Sequence, residues 1–159
     1  MDWIVRPARH TDEHKVIEAI RSLCTELRGK DVKLPEIAAD VFQSIISNTI
    51  PGAVFIAETT DGNLIGCATV FIQEVIFRGG SYALIQELWV HPSHRSLSLG
   101  AALVRSVEEF CREHSLKRLK VCLPHESFVN FNKTQKFYGR IGFADNGPYM
   151  TKMVSMDLK

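Results

Sequence analysis

Residues 82 to 123 place the strongest constraint on the fold. "YALIQELWVHP" is a run of strand-forming residues ended by Pro92. A loop, "SHRSLSLG", follows, and then Leu103, Val104, Val107, Phe110 and Cys111 recur at helical spacing. "RLKVCLP" is a second short apolar strand. Strand, helix and strand within roughly 40 residues make a βαβ unit, whose two strands run parallel through a right-handed crossover. Parallel strands are covered on both faces, so the rest of the chain must supply helices for the opposite side of the sheet.

It does so before residue 60. After a short apolar stretch at 3 to 8, Thr11 is a candidate N-cap, and Val16, Ile17, Ile20, Leu23, Cys24 and Leu27 form one helical stripe that Gly29 ends. A second helix is predicted from Pro35, with Ile37, Val41, Phe42, Ile45 and Ile46 on one face. "AVFIAET", Asp61-Gly62 and "LIGCATVFIQEVIF" read as a β-hairpin, with another turn at Gly79-Gly80. A fourth helix is predicted at 132 to 141, ending at Gly142, and "MTKMVSMDL" reads as a closing strand. The sum is an α/β, or α+β, sandwich: a mixed, mostly antiparallel sheet with one parallel βαβ unit and helices on both faces.

No repeat or Pro/Gly-rich linker divides the 159 residues, so one domain, 1–159, is expected. Lys plus Arg number 19 against 18 Asp plus Glu, which provides no general field for nucleic acid or an anionic membrane. The first residues lack a signal-peptide pattern and no long apolar run occurs, so a cytoplasmic protein without a membrane partner is expected. Cys24, Cys67, Cys111 and Cys122 form no CxxC pair and read as reduced core residues.

The loop carries the chemistry. Backbone N–H groups in a first helical turn lack internal partners, and the helix dipole favours anions there. Small residues around Gly100 permit close approach, Arg95 adds charge, and the loop lies at the carboxyl end of a parallel strand. A phosphate-bearing ligand is therefore expected. The alternative is a helix merely capped by Ser96 or Ser98 beside a solvated Arg95. The segment is neither a Walker P-loop nor a dinucleotide fingerprint, because no Gly-Lys-Ser/Thr follows and only one glycine is present.

With "IQELWVHPSHRSLSLGAALV" before the crossover helix and "NKTQKFYGRIGF" after it, nearly the whole chain resembles the GNAT family of N-acetyltransferases. The resemblance implies that Arg95, Ser96, Leu97, Ser98, Leu99, Gly100 and Ala101 cradle the pyrophosphate of acetyl-CoA. It further implies that the backbone of Leu88, Trp89 and Val90 pairs with the pantetheine arm and that Asn132 gives a carboxamide contact to it. Tyr138 matches the tyrosine that protonates the departing thiolate in many members. Ser98 departs from the pattern, standing where the first loop glycine is usual.

Attack by an amine requires a base, and Glu87, a charged residue inside an apolar strand, is the candidate; a surface carboxylate is the alternative. The implied reaction is direct transfer of acetyl from acetyl-CoA, as cosubstrate, to a primary amine of a small molecule. A non-catalytic acyl-CoA sensor or interaction module and a protein N-acetyltransferase are the competing readings, and a homodimer is a family-level expectation. No metal is expected: His91 and His94 lack a third ligand in register. His125 and Glu126 read as a solvated loop near the site. The basic clusters at 28 to 30 and 116 to 120 read as solvated edges, the latter within reach of an adenosine phosphate. Trp89, Phe128, Phe131, Phe137 and Phe143 read as core or dimer surface, with no basic field to make them a nucleic-acid platform.

Overall fold

The structure is a computed structural model that describes residues 3–76, 80–95, 98–145 and 147. Among the described residues, five strands and four α-helices follow one another in the chain. These are β1 (Trp3–Pro7), α1 (Glu13–Arg28), α2 (Ala38–Ile46), β2 (Gly52–Thr59), β3 (Leu64–Val75), β4 (Gly80–Val90), α3 (Leu99–Glu113), β5 (Leu119–Val121) and α4 (Phe131–Arg140). The sheet order is β1-β2-β3-β4-β5, antiparallel until the last pair, where β4 and β5 run parallel from Ala83↔Leu119 to Ile85↔Val121. The hairpin and the βαβ unit therefore stand where the sequence pattern puts them. The closing strand expected in "MTKMVSMDL" lies outside the described residues.

Each sheet face has its own core. Against α3, Ala57, Ala68, Val70, Ala83, Ile85, Leu103, Val104 and Val107 are sealed, and Phe55 meets Phe110 edge to face at 6.3 Å. Against α1 and α2, Val16, Ala19, Phe42 and Ile45 cover Val54, Ile56, Cys67 and Trp89. Strand alternation accounts for the division, since neighbours such as Cys67 and Ala68 point to opposite faces. Burying a side chain such as Leu103 or Ile85 contributes about 1.5–3 kcal/mol.

Several sequence expectations are corrected. Thr11 does not cap α1; it sits in a 3-10 turn, His10–Asp12, and Asp12 holds the cap position. The Asp12 carboxylate gives no cap bond because it accepts from Arg6 at 2.8 and 3.0 Å and from the Arg9 amide at 2.7 Å. Arg6 also bonds Glu58, so this cluster ties the β1–β2 edge to the start of α1, and the Arg6 guanidinium holds Asp12 below the usual carboxylate range. α2 begins at Ala38 rather than Pro35, which leaves Ile37 and Val41 exposed and only Phe42 and Ile45 fully inside. Gly29 ends α1 as expected, in the left-handed conformation with φ 66°. Of the four cysteines, all unpaired, Cys67 and Cys111 are core residues, Cys24 is half-buried and Cys122 is exposed.

Candidate active site

The site begins where β4 leaves β5. Their pairing stops at Ile85↔Val121, yet β4 continues to Val90, so its last residues have a strand partner on one side only. The His91 amide donates to Ile65 O at 2.9 Å, on the β3 side. Alternation along the strand then turns the peptide groups of Leu88 and Val90 to the open edge. Their side chains pack on the α3 core, whereas the Trp89 side chain is buried against α1 and α2.

A bulge reverses the faces of β4 just before this point. Thr69 pairs with Glu87 but Val70 with Ile85, so Gln86 is the extra residue. Without it, Glu87 would share the face of Ala83 and Ile85 and enter the α3 core. With it, the Glu87 carboxylate lies on the α1 face, near the thiols of Cys24 and Cys67, whose ionisation its charge opposes. Thr69, only 5% exposed, donates its hydroxyl to Glu87 Oε2 and accepts the Glu87 amide at 3.1 Å. Burial pushes the Glu87 carboxyl above its usual range, and the Thr69 hydroxyl offsets this only in part. The Glu87 carboxylate thus lies beside one hydroxyl and two thiols.

α3 starts directly beside the open edge. Ser98 precedes it at φ 61° and ψ 6°, the left-handed conformation that favours glycine, and its side chain makes no cap bond. The first helical bond is from Ala102 N to Ser98 O, which leaves the amides of Leu99, Gly100 and Ala101 without helical acceptors, and no acidic side chain occupies the first turn. A Cβ on Gly100 would lie 3.1 Å from Phe137 Cζ and 3.8 Å from Val90 Cγ2. Gly100 thus lets α3, α4 and the end of β4 converge. Ser96 and Leu97 lie outside the described residues.

The other predicted residues fall around this junction. Tyr138, on α4, is 7% exposed between Phe137 and Phe143, and burial raises its phenol well above the usual value. Asn132 is exposed on the first turn of α4, and its side chain has no hydrogen bond to a described residue. The Arg95 side chain crosses to α1: its Nε donates to Val90 O at 2.9 Å, and its Nη2 donates to Glu26 Oε1 and Oε2 at 2.8 and 2.7 Å. Glu26 Oε1 also accepts the Trp89 indole N–H at 3.1 Å. Beside these groups a cleft of about 330 Å³ is lined by Arg21, Thr25, Glu26, Asp31, Trp89 and His91, among others.

Sequence reasoning missed Thr69 and Glu26. Thr69 carries a readable signal, a hydroxyl inside the apolar run "CATVF"; Glu26 looks like any solvated helix carboxylate. Ser93 Oγ joins the Nδ1 atoms of His91 and His94 at 2.7 and 2.9 Å, and among the described residues no group of three His, Cys, Asp or Glu side chains could hold a metal ion. His125 bonds Ser127 on an exposed loop, and Lys120 lies 4.3 Å from the centre of the Tyr82 ring. Among the described residues no helix is long and apolar enough to cross a membrane.

The sheet is mostly antiparallel, and among the described residues its one parallel pair parts beside an uncapped helix start. The chain matches the family model described as "Acetyltransferase (GNAT) family" over residues 17–143 and belongs to that family, which supports an acyltransferase. Solved structures share the fold. An acetyltransferase of Trypanosoma brucei is 22% identical with a TM-score of 0.73, covering 96% of this chain and 100% of that one. Glucosamine-6-phosphate N-acetyltransferase of Arabidopsis thaliana is 19% identical with a TM-score of 0.74, covering 98% and 100%. A transcriptional regulator of Bacillus halodurans C-125 is 17% identical with a TM-score of 0.79, covering 96% and 100%. No curated protein matches the chain.

Proposed function

We propose that the chain transfers an acetyl group from acetyl-CoA to a primary amine of a small molecule, directly and without an acyl-enzyme. The observation that carries this reading is the opening of β4 after Ile85, which exposes its edge next to the unsatisfied amides of α3, while the bulge at Gln86 sets Glu87 on the opposite face. Acetyl-CoA brings an activated thioester on a long amide-bearing arm that ends in a diphosphate. The amides from Arg95 to Ala101 suit the diphosphate, and the peptide groups of Leu88, Trp89 and Val90, with Asn132, suit the arm. The free N–H of Leu88 or Val90 polarises the acetyl carbonyl.

On the α1 face Glu87 takes the proton of the incoming ammonium, directly or through water, so that the nitrogen lone pair can form the C–N bond. The C–S bond breaks, and Tyr138, kept protonated by its burial, gives its proton to the thiolate. The cleft beside Trp89, with its carboxylates, hydroxyl and imidazole, matches a small polar acceptor in size and chemistry. Four unpaired cysteines support a reducing, cytoplasmic setting for this activity.

The test is release of free CoA from acetyl-CoA in the presence of polyamines, amino sugars, amino acids and short peptides in turn. Turnover with one of the small amines is the expected result. Turnover with peptides alone would replace the acceptor class, and tight acetyl-CoA binding with no turnover on any amine would favour the non-catalytic acyl-CoA-binding reading.

A further inference from the structure

We infer that Arg21 and Thr25 are positioning residues for the acceptor amine, acting through the main chain of Val32; this rests on the small-amine reading above and deepens it. α1 stops at the left-handed Gly29, and residues 30–34 make no hydrogen bond to a described main-chain group. Two α1 side chains, one helical turn apart, supply what is missing. The Val32 amide donates to Thr25 Oγ1 at 3.2 Å, and Arg21 Nε donates to the Val32 carbonyl at 3.2 Å. Both polar groups of one residue are thus fastened to α1. The Val32 side chain is 9% exposed, whereas Lys33, Pro35, Glu36 and Ile37 stand in solvent.

This anchor sets one side of the cleft. Arg21, Thr25 and Asp31 line it together with Trp89, His91 and Pro92 at the end of β4. Asp31 immediately precedes the anchored residue; Arg21 Nη2 donates to its Oδ1 at 2.9 Å, and Nη1 donates to Glu18 Oε2 at 3.1 Å. These three side chains are 43%, 78% and 50% exposed, so the ion pairs add little stability of their own and serve to hold the guanidinium against Val32. α1 and β4 are both packed into the core, which leaves residues 30–34 as the part of the cleft whose position depends on the two bonds. Without them the acceptor would have to order that segment itself, at the expense of its affinity.

Hydrogen exchange on the free protein and steady-state kinetics test this, with spermidine, glucosamine and lysine as probe amines. Thr25→Val, which replaces the hydroxyl with a methyl group, should speed exchange of the Val32 amide about threefold to tenfold. Thr25→Val and Arg21→Ala should each raise KM about threefold to tenfold for the amine that is turned over, with kcat and the KM for acetyl-CoA changed less than about twofold. Thr25→Ser, which keeps the hydroxyl, should restore both readings. Unchanged Val32 exchange in Thr25→Val would show that the hydroxyl does not anchor the segment, and an unchanged amine KM in both variants would show that the acceptor does not depend on it; either overturns the proposal. A matching rise in KM for acetyl-CoA, or a fall in kcat alone, would show a general structural role and overturns it too. Wild type that turns over none of the three amines overturns the small-amine reading itself, and Val32 exchange, which needs no substrate, keeps the two failures distinct.

Discussion

Ser98 holds a φ of 61° with no side-chain bond to compensate, and left-handed backbone costs a residue with a Cβ about 1–2 kcal/mol. Replacing it with glycine removes that strain but frees the unfolded chain, so the expected net gain is about 0.5–1 kcal/mol, a rise in Tm of about 1–4 °C. A Tm that stays level or drops would show that the serine is not strained. Glu87 gives the second prediction at this scale. Burial raises its folded pKa, so the neutral carboxyl contributes stability that is fully present below the ordinary value of 4.5 and is lost as pH rises through the folded value. Glu87→Gln does not titrate there. Its Tm should match wild type in acid and exceed it increasingly as pH rises through that window, while acetyl transfer falls about 100-fold at neutral pH. A Tm difference independent of pH would remove the burial argument, and unchanged turnover would remove Glu87 as the base. The unusual burial of a carboxylate at Glu87 was legible in sequence, because a charge inside an apolar strand violates the pattern. Glu26 was not, because its partners are 63 and 69 residues away.

Among the elements, β4 shows what periodicity reveals and what it hides. The βαβ unit followed from the spacing of apolar residues, and both strands and the helix lie within a few residues of their predicted positions. The bulge at Gln86 did not follow, because "YALIQELWV" reads as strand whether or not one residue slips. α2 likewise starts late because a proline permits a helix start without requiring one. Gly66, on β3, shows how closely the elements of the site are fitted. A Cβ there would lie 3.1 Å from Trp89 O, 3.1 Å from Leu103 Cδ1 and 3.2 Å from Leu99 Cδ2, between the strand that opens and the first turns of α3. The leucines can yield, but the Trp89 carbonyl is backbone. Gly66→Ala should therefore destabilise by about 1–3 kcal/mol and weaken acetyl-CoA as α3 is pushed off the sheet. Thermal unfolding and titration of the same variant check both effects, and loss of stability with full affinity would mean that the start of α3 does not set the cofactor site.

At the scale of the whole molecule, the proposed reaction puts its two cosubstrates on opposite faces of the sheet. Leu88, Val90 and the start of α3 face one core, while Glu87, Trp89 and the cleft lined by α1 face the other. The sequence made this two-sided plan readable through its helix-strand order, but it could not show that the bulge lets one strand serve both sides. Hydrogen exchange offers a test at this scale, since each ligand should slow exchange on its own side. Acetyl-CoA should protect the amides of Leu88 and Val90 and those in 99–101, whose donors lie on the open edge or lack helical acceptors. A turned-over amine, added with CoA, should extend protection into 21–31, the end of α1 and the chain just after it, which contribute to the lining of the cleft. Through the Glu26–Arg95 bond, acetyl-CoA alone should reach only the last turn of α1. Protection by acetyl-CoA centred on α2, with 99–101 unchanged, would place the cofactor on the wrong face of the sheet and end this assignment of the two sides.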